Sequence, residues 1–226
     1  MSWILQIDTA LENAIVSLAF KGKMIGEKIS FLQKDHASFL QPAIALLVNE
    51  ANITLPQIGA VAVVEGPGSY TGLRVGMASA KGLCYALNKP LITISSLKLL
   101  AASAIFHLKD FNADQLICPM IDARRMEVFT AVYDANLNIV LPPCAMELDK
   151  FSLVNLMLNK KIYFLGNGSA KWATICDKIN AEFVEIECNS MIMSKLVWQN
   201  FSSHLYSSLA YAEPAYLKDF FSTLKH

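Results

Sequence analysis

The apolar positions of this chain change period several times, and each change marks an element. Residues 3–8 form a nearly continuous apolar run ending in Asp8-Thr9, the pattern of a buried strand. Segments over 13–20 and 24–30 flank Lys21-Gly22-Lys23, which predicts a hairpin. The spacing of Phe39, Ala43, Leu46 and Leu47 predicts a helix over 36–49, with Pro42 near its first turns or kinking it. A second apolar run over 60–64 predicts another buried strand. Glu65-Gly66-Pro67-Gly68 breaks it, and Ser69 or Thr71 is the expected N-cap of a helix running toward Leu87. A strand at 91–94 and a helix over 96–108 follow.

Past a polar stretch at 109–115, strands are expected at 116–122 and 126–134. A strand at 162–165 leads into Gly166-Asn167-Gly168, then a helix over 169–179, a strand over 183–188 and a helix over 194–209. The returning strand-glycine-helix pattern suggests a duplicated lobe, though no sequence repeat is strong enough to prove it. Periodicity alone supports only an α/β class.

Composition narrows the picture. At 226 residues the chain can form one large domain or two small lobes. With 54% hydrophobic and 17% charged residues it is not a disordered chain, and it needs extensive burial or an apolar partner surface. The 19 basic and 19 acidic residues cancel, so the broad basic field of an autonomous nucleic-acid binder is missing. Met1 to Asp8 lacks the basic region and cleavage site of a signal peptide, and no apolar run approaches the roughly 20 residues that cross a bilayer. Cys84, Cys118, Cys144, Cys176 and Cys188 form no C-x-x-C pair or even framework, so reduced thiols in a cytoplasmic protein are expected.

The helix after the glycine turn carries Gly72, Gly76, Ala80 and Cys84 every four residues, a narrow small-residue face. Each interior glycine costs roughly 1 kcal/mol relative to alanine, so the face is expected to pack tightly against something. The turn fits none of the named glycine motifs. No Lys-Ser or Lys-Thr follows it as in a P-loop, and Gly66, Gly68 and Gly72 do not make G-x-G-x-x-G. Pro67 and Thr71 occupy the places where a nucleophile elbow around Ser69 needs glycine.

The whole string is more specific than its parts. Gly66-Pro67-Gly68-Ser69-Tyr70-Thr71-Gly72-Leu73-Arg74-Val75-Gly76 is followed by Ala80-Lys81-Gly82-Leu83, Pro90 and Ser95-Ser96-Leu97. Further on stand Ile121-Asp122-Ala123-Arg124-Arg125-Met126-Glu127-Val128-Phe129 and Ala212-Glu213-Pro214-Ala215-Tyr216-Leu217-Lys218. Together they closely resemble the bacterial TsaB (YeaZ-type) family of the tRNA threonylcarbamoyladenosine machinery. Phe129 replaces a family tyrosine and Lys218 a family arginine, and residues 136–160 carry little of the likeness.

The resemblance implies an actin-like ATPase (ribonuclease-H-like) fold of two lobes, each with a mixed central sheet flanked by helices. Residues 1–108 would form the first lobe and 109–226 a smaller, degenerate one, with the segment from about 210 returning to the first. It implies a noncatalytic subunit that pairs with the catalytic paralogue TsaD and, with the ATPase TsaE, supports threonylcarbamoyl transfer to tRNA. Such a chain needs no cofactor, ATP being used through its partners, and forms a homodimer when the partner is absent. The partner-facing side is expected on the two first-lobe helices, with His36, Phe39, Leu40, Ala43, Leu47, Gly72, Leu73, Gly76, Ala80 and Leu83.

Candidate chemistry is sparse. Asp8 and Thr9 lie at a strand end where actin-like ATPases place a carboxylate near phosphate, and with Gly66, Gly68, Ser69 and Arg124 they are the candidate nucleotide contacts. Asp8 can equally be a turn residue, and His36 a locally bonded helix-start histidine. In strand alternation Asp122 would face Arg124, and Arg125 would face Glu127, as salt bridges; Arg124 could instead hold a carboxylate or phosphate. No H-x-x-x-H or H-E-x-x-H exists, and no metal site is expected. Registered on the glycine turn, Ser96 and Leu100 stand where TsaD carries its histidine pair, and leucine cannot ligate a metal. The rival reading is an independently active nucleotide-dependent transferase or hydrolase using Asp8, the glycine turns and Arg124.

Overall fold

The computed structural model describes residues 2–32 and 35–218. Its first lobe holds β1 (Trp3–Asp8), β2 (Ala14–Phe20), β3 (Lys23–Ser30), α1 (His36–Glu50), β4 (Ile58–Gly66), α2 (Tyr70–Leu87) and β5 (Leu91–Ser95), followed by α3 (Ser96–His107). The strands form one sheet in the order β3-β2-β1-β4-β5. The hairpin strands β1, β2 and β3 pair antiparallel, whereas β1, β4 and β5 pair parallel.

The second lobe holds β6 (Gln115–Asp122), β7 (Glu127–Tyr133), β8 (Ile139–Glu147), α4 (Val154–Met157), β9 (Lys161–Leu165), α5 (Ser169–Ala173) and β10 (Ala181–Phe183), with α6 (Ser190–Ser202) after it. Its sheet runs β8-β7-β6-β9-β10, with antiparallel pairing among β6, β7 and β8 and parallel pairing among β6, β9 and β10. Strand for strand, this is the plan of the first lobe. The duplication that no sequence repeat proves is plain in the topology.

Alternation along β1 divides the first lobe's core. Leu5 and Ile7 pack with Leu40, Ala43 and Leu47 of α1 and Met77 and Ala80 of α2. Ile4 points to the opposite face, against Leu99 of α3 and Ile192, Met193 and Val197 of α6. Helix α3 is apolar on both sides because it is buried on both. Leu99 and Ala102 serve the first lobe, while Leu97, Leu100, Ala101 and Ala104 pack on Ile117, Ile121 and Tyr133 of the second. A further cluster fills the far face of the second sheet, where Trp172 sits edge-on to Phe164 and donates from Nε1 to the Asp149 carbonyl at 2.8 Å.

Several boundaries move. The chain returns to the first lobe at α6, starting at Ser190 rather than about residue 210, and the second sheet ends at Phe183. The helix expected over 169–179 stops at Ala173, and the one expected over 194–209 spans 190–202 instead. There Asn189 caps the helix by accepting from the amides of Met191 and Ile192. Strand β8 carries no clean alternation, because it is a largely exposed edge strand blunted by Pro142 and Pro143. Pro42 sits inside α1, on its solvent side.

Candidate functional site

A cleft of about 910 Å³ opens between the lobes. One wall combines the β1–β2 turn, the start of α1 and the glycine turn entering α2; the other is the β6–β7 turn with Asn167. Residues 215–218 lie along its mouth.

The first wall is built by close backbone approach. Gly66 has φ +111°, a conformation that favours glycine, and it turns the chain out of β4. A Cβ on Gly68 would strike the Ala10 carbonyl, and the Ser69 amide donates to that same oxygen at 2.7 Å. Ser69 is the N-cap of α2, its Oγ accepting from the Gly72 amide at 3.3 Å. One turn on, Thr9 donates from Oγ1 to the Gly72 carbonyl at 2.7 Å. A Cβ on Gly72 would collide with the Thr9 carbonyl, and one on Gly76 with Thr9 Oγ1.

This corrects the expected partner face. Gly72, Gly76, Ala80 and Cys84 face their own sheet, and the tight packing that the glycines demand is satisfied by Thr9, just past the end of β1. Leu40, Ala43, Leu47 and Leu73 are likewise buried in the chain's own core, and His36 is only 3% exposed. Phe39 and Leu83 are half-buried. The sides of α1 and α2 that reach solvent carry other residues: Ala37, Gln41, Ala45 and Leu46 on one, Ala78, Gly82, Tyr85 and Ala86 on the other. The four-residue spacing detects close packing but does not tell an inner from an outer neighbour.

The candidate nucleotide contacts are split. Gly68, Ser69 and Arg124 line the cleft; Asp8, Thr9 and Gly66 do not. Asp8 lies on the α3–α6 side of β1, among Leu99, Cys188, Ser190 and Met193. Its Oδ1 accepts from the Ala10 amide at 3.0 Å, and burial pushes its carboxyl up to about 6 despite that bond. Cys188 is pushed up as well, by burial first and then by Asp8 and Glu187.

The second wall ends in a tight turn. Arg124 and Arg125 have φ +73° and +48°, and Glu127 donates its amide to the Arg124 carbonyl at 3.0 Å. Both arginines therefore leave the strand, and the salt bridges that alternation would make do not form. Asp122 instead pairs with Lys171 at 2.5 Å and accepts from the Arg124 amide, while Glu127 pairs with Lys218 at 2.6 Å. Burial acts to raise the Asp122 carboxyl, but the Lys171 ammonium and the Arg124 amide outweigh it and hold the group below the usual carboxylate range. Gly166-Asn167-Gly168 is a turn locked to β6: Asn167 Oδ1 accepts from the Asp122 amide, and the Gly168 amide donates to the Met120 carbonyl.

His36 lines the cleft, with Nε2 3.0 Å from the Glu12 carbonyl. A carbonyl only accepts, so Nε2 carries the proton, and Nδ1 has no partner among the described residues. Sequence reasoning missed the cluster at the cleft mouth. Arg74 lies 4.0 Å over the Tyr70 ring and donates from Nε to the Tyr216 hydroxyl at 3.0 Å. The resemblance implied that the chain from about 210 returns to the first lobe, but no residue pattern names Arg74, 142 positions away, as the partner of Tyr216. At the positions registered to the TsaD histidines, Ser96 donates to the Pro67 carbonyl and Leu100 is buried between the lobes.

Residues 30–211 match the family model described as TsaD: tRNA N6-adenosine threonylcarbamoyltransferase. The tRNA threonylcarbamoyladenosine biosynthesis protein TsaB of Bacillus subtilis is 33% identical over 170 residues, 74% of this chain and 72% of the relative. The chain belongs to the TsaB branch of this family. The protein of the same name from Escherichia coli is 32% identical over 135 residues, covering 60% of this chain and 56% of the relative. The solved structure of YeaZ from Pseudomonas aeruginosa superposes with a TM-score of 0.78 at 22% identity, covering 96% of this chain and 100% of that one. The architecture is the two-lobed actin-like fold that the motifs implied. No helix among the described residues is long and apolar enough to cross a membrane.

Proposed function

We propose that this chain acts in the biosynthesis of threonylcarbamoyladenosine in tRNA as a noncatalytic subunit, pairing with a TsaD-type partner through the solvent sides of α1 and α2. One observation carries this reading: the two neighbouring helices present an outer surface of mostly small and apolar residues, and the cations of α2 are hydrogen-bonded within the chain. On α2, Arg74 is engaged by Tyr216 and Lys81 donates to the carbonyls of Ala210 and Ala212. Between them lie Ala78, Gly82 and Ala86, with Tyr85 83% exposed; α1 adds Ala45 and Leu46, the latter 52% exposed. Small and apolar residues with few charges suit the centre of an interface, and Gly82 lets another helix approach closely.

The noncatalytic assignment draws on the site itself. Asp8 is turned away from the cleft, and Ser96 and Leu100 are committed to internal packing. The chain then needs no cofactor of its own, and the complex spends ATP through its partners, including a TsaE-type ATPase. A second copy of this chain occupies the same helix faces when the partner is absent.

The test is tRNA modification reconstituted from purified components with and without this chain, beside ATPase assays of each protein alone. Omission should stop modification, and this chain alone should not turn over ATP. Gly82→Leu with Ala45→Arg should weaken pairing about tenfold or more while leaving the fold intact. Unaided ATP turnover, abolished by Asp8→Ala, would establish the rival enzymatic reading instead.

A further inference from the structure

Helix α3 joins the lobes, its two apolar sides packed on both sheets. A second connection reaches the mouth of the cleft. After α6 the chain crosses the edge of the first sheet, where the Ser207 amide donates to the Leu91 carbonyl at 2.9 Å. The carbonyls of Ala210 and Ala212 then accept from Lys81 at 3.3 and 2.9 Å, and the Ala215 amide donates to the Glu65 carbonyl at 2.8 Å, at the end of β4. Tyr216 meets Arg74 at the start of α2. Two residues later the segment has reached the other lobe: Leu217 packs into the interlobe cluster and Lys218 pairs with Glu127 of β7.

We propose that residues 207–218 are a strap that locks the two lobes at a fixed separation, a second connection besides α3. Its contacts are graded. The first-lobe half is anchored by two backbone hydrogen bonds, Ser207 to Leu91 and Ala215 to Glu65, with Lys81 and Arg74 adding side-chain bonds. Among the described residues, its contacts to the second lobe include the partly buried Leu217 and an ion pair whose lysine side chain is 51% exposed. Within residues 207–218 the exposed ion pair is the weakest of these contacts, so this segment releases there first. Release would free the β6–β7 turn and widen the cleft, while α3 keeps the lobes joined.

Hydrogen–deuterium exchange on the full chain tests this. A strap variant, Ala215→Pro with Lys218→Glu, removes the amide donor and reverses the charge facing Glu127. Exchange should rise about tenfold or more at residues 122–127 and 70–73, with β1 and β4 unchanged. Lys218→Glu alone, on an exposed side chain, should raise exchange at 122–127 about two- to fivefold, and it keeps the test decisive if the double variant fails to fold. Adding Glu127→Lys to Lys218→Glu should bring that rise back toward the parent level. Folded variants with unchanged exchange at both walls would overturn the proposal. So would a rise confined to 207–218, because a detached tail would then leave the lobes as they were.

Discussion

Replacing Gly76 with alanine tests the account of the α2 packing face directly. In an open helix position the change gains about 1 kcal/mol of helix propensity. Here the new Cβ would meet Thr9 Oγ1, which is fixed by its 2.7 Å bond to the Gly72 carbonyl. Thr9 cannot withdraw without breaking that bond, because its backbone is also pressed against Gly72. Overpacking of this kind costs about 1–3 kcal/mol, and loss of the buried hydroxyl bond about 1 kcal/mol more. After the propensity gain, Gly76→Ala should destabilise the chain by about 1–3 kcal/mol, or roughly 2–10 °C in Tm for a protein of this size. Gly82 supplies the control on the same helix: beyond its own helix backbone nothing lies within 4 Å of its added Cβ, so Gly82→Ala should be neutral or stabilise by up to about 1 kcal/mol. Urea and thermal unfolding of the two variants beside the parent measure the contrast. If Gly76→Ala proves as stable as Gly82→Ala, the inward orientation of this face is wrong, and the glycines return to the partner surface.

Three further outcomes are expected. Asp8 has a folded-state value of about 6 against an ordinary 3.8, so the folded chain holds the proton more tightly than the unfolded one. That contribution is complete below about pH 3.8 and is lost as pH rises through about 6, a change on the order of 3 kcal/mol. Asp8→Asn, which keeps an oxygen for the Ala10 amide, should flatten this part of the stability–pH curve, measured by urea unfolding across the range. Trp172→Ala should cost about 3–5 kcal/mol, read by chemical unfolding, since it empties a fully buried site beside Phe164 and removes one of the two donors to the Asp149 carbonyl. Burial pushes the thiols of Cys84 and Cys118 up to about 11 and about 12, so mass spectrometry should find both slow to alkylate at neutral pH until the chain unfolds.

Much of the fold was legible because the buried strands announce themselves. The runs ending at Asp8 and at the glycine turn are apolar because both faces of the first sheet are covered, and Ser69 caps α2 as its residue type suggests. What escaped reading depends on partners distant in sequence. The direction of Asp8 follows from which side of β1 carries α6, a helix nearly two hundred residues later. The split of Arg124 and Arg125 from the strand follows from two left-handed residues in a turn where glycine or asparagine would have been the usual signal. Strand β8 was invisible because an exposed edge with two prolines has neither the alternation nor the β-branched density that marks a strand. Of the residues singled out from the sequence as nucleotide contacts, Gly68, Ser69 and Arg124 line the cleft, whereas the pairing of Tyr216 with Arg74 enters only through the fold.

The two-sided burial of α3 bears on how such a chain can be divided. A fragment ending before Ser96 would leave the first sheet without the cover of Leu99 and Ala102, and it would lack α6 as well. A fragment beginning there would expose the apolar surfaces of α3 and α6 that pack on the first sheet. Neither piece is a module that recombination could transplant. The duplicated sheets have become a single heritable unit, held as one by a helix that belongs to both.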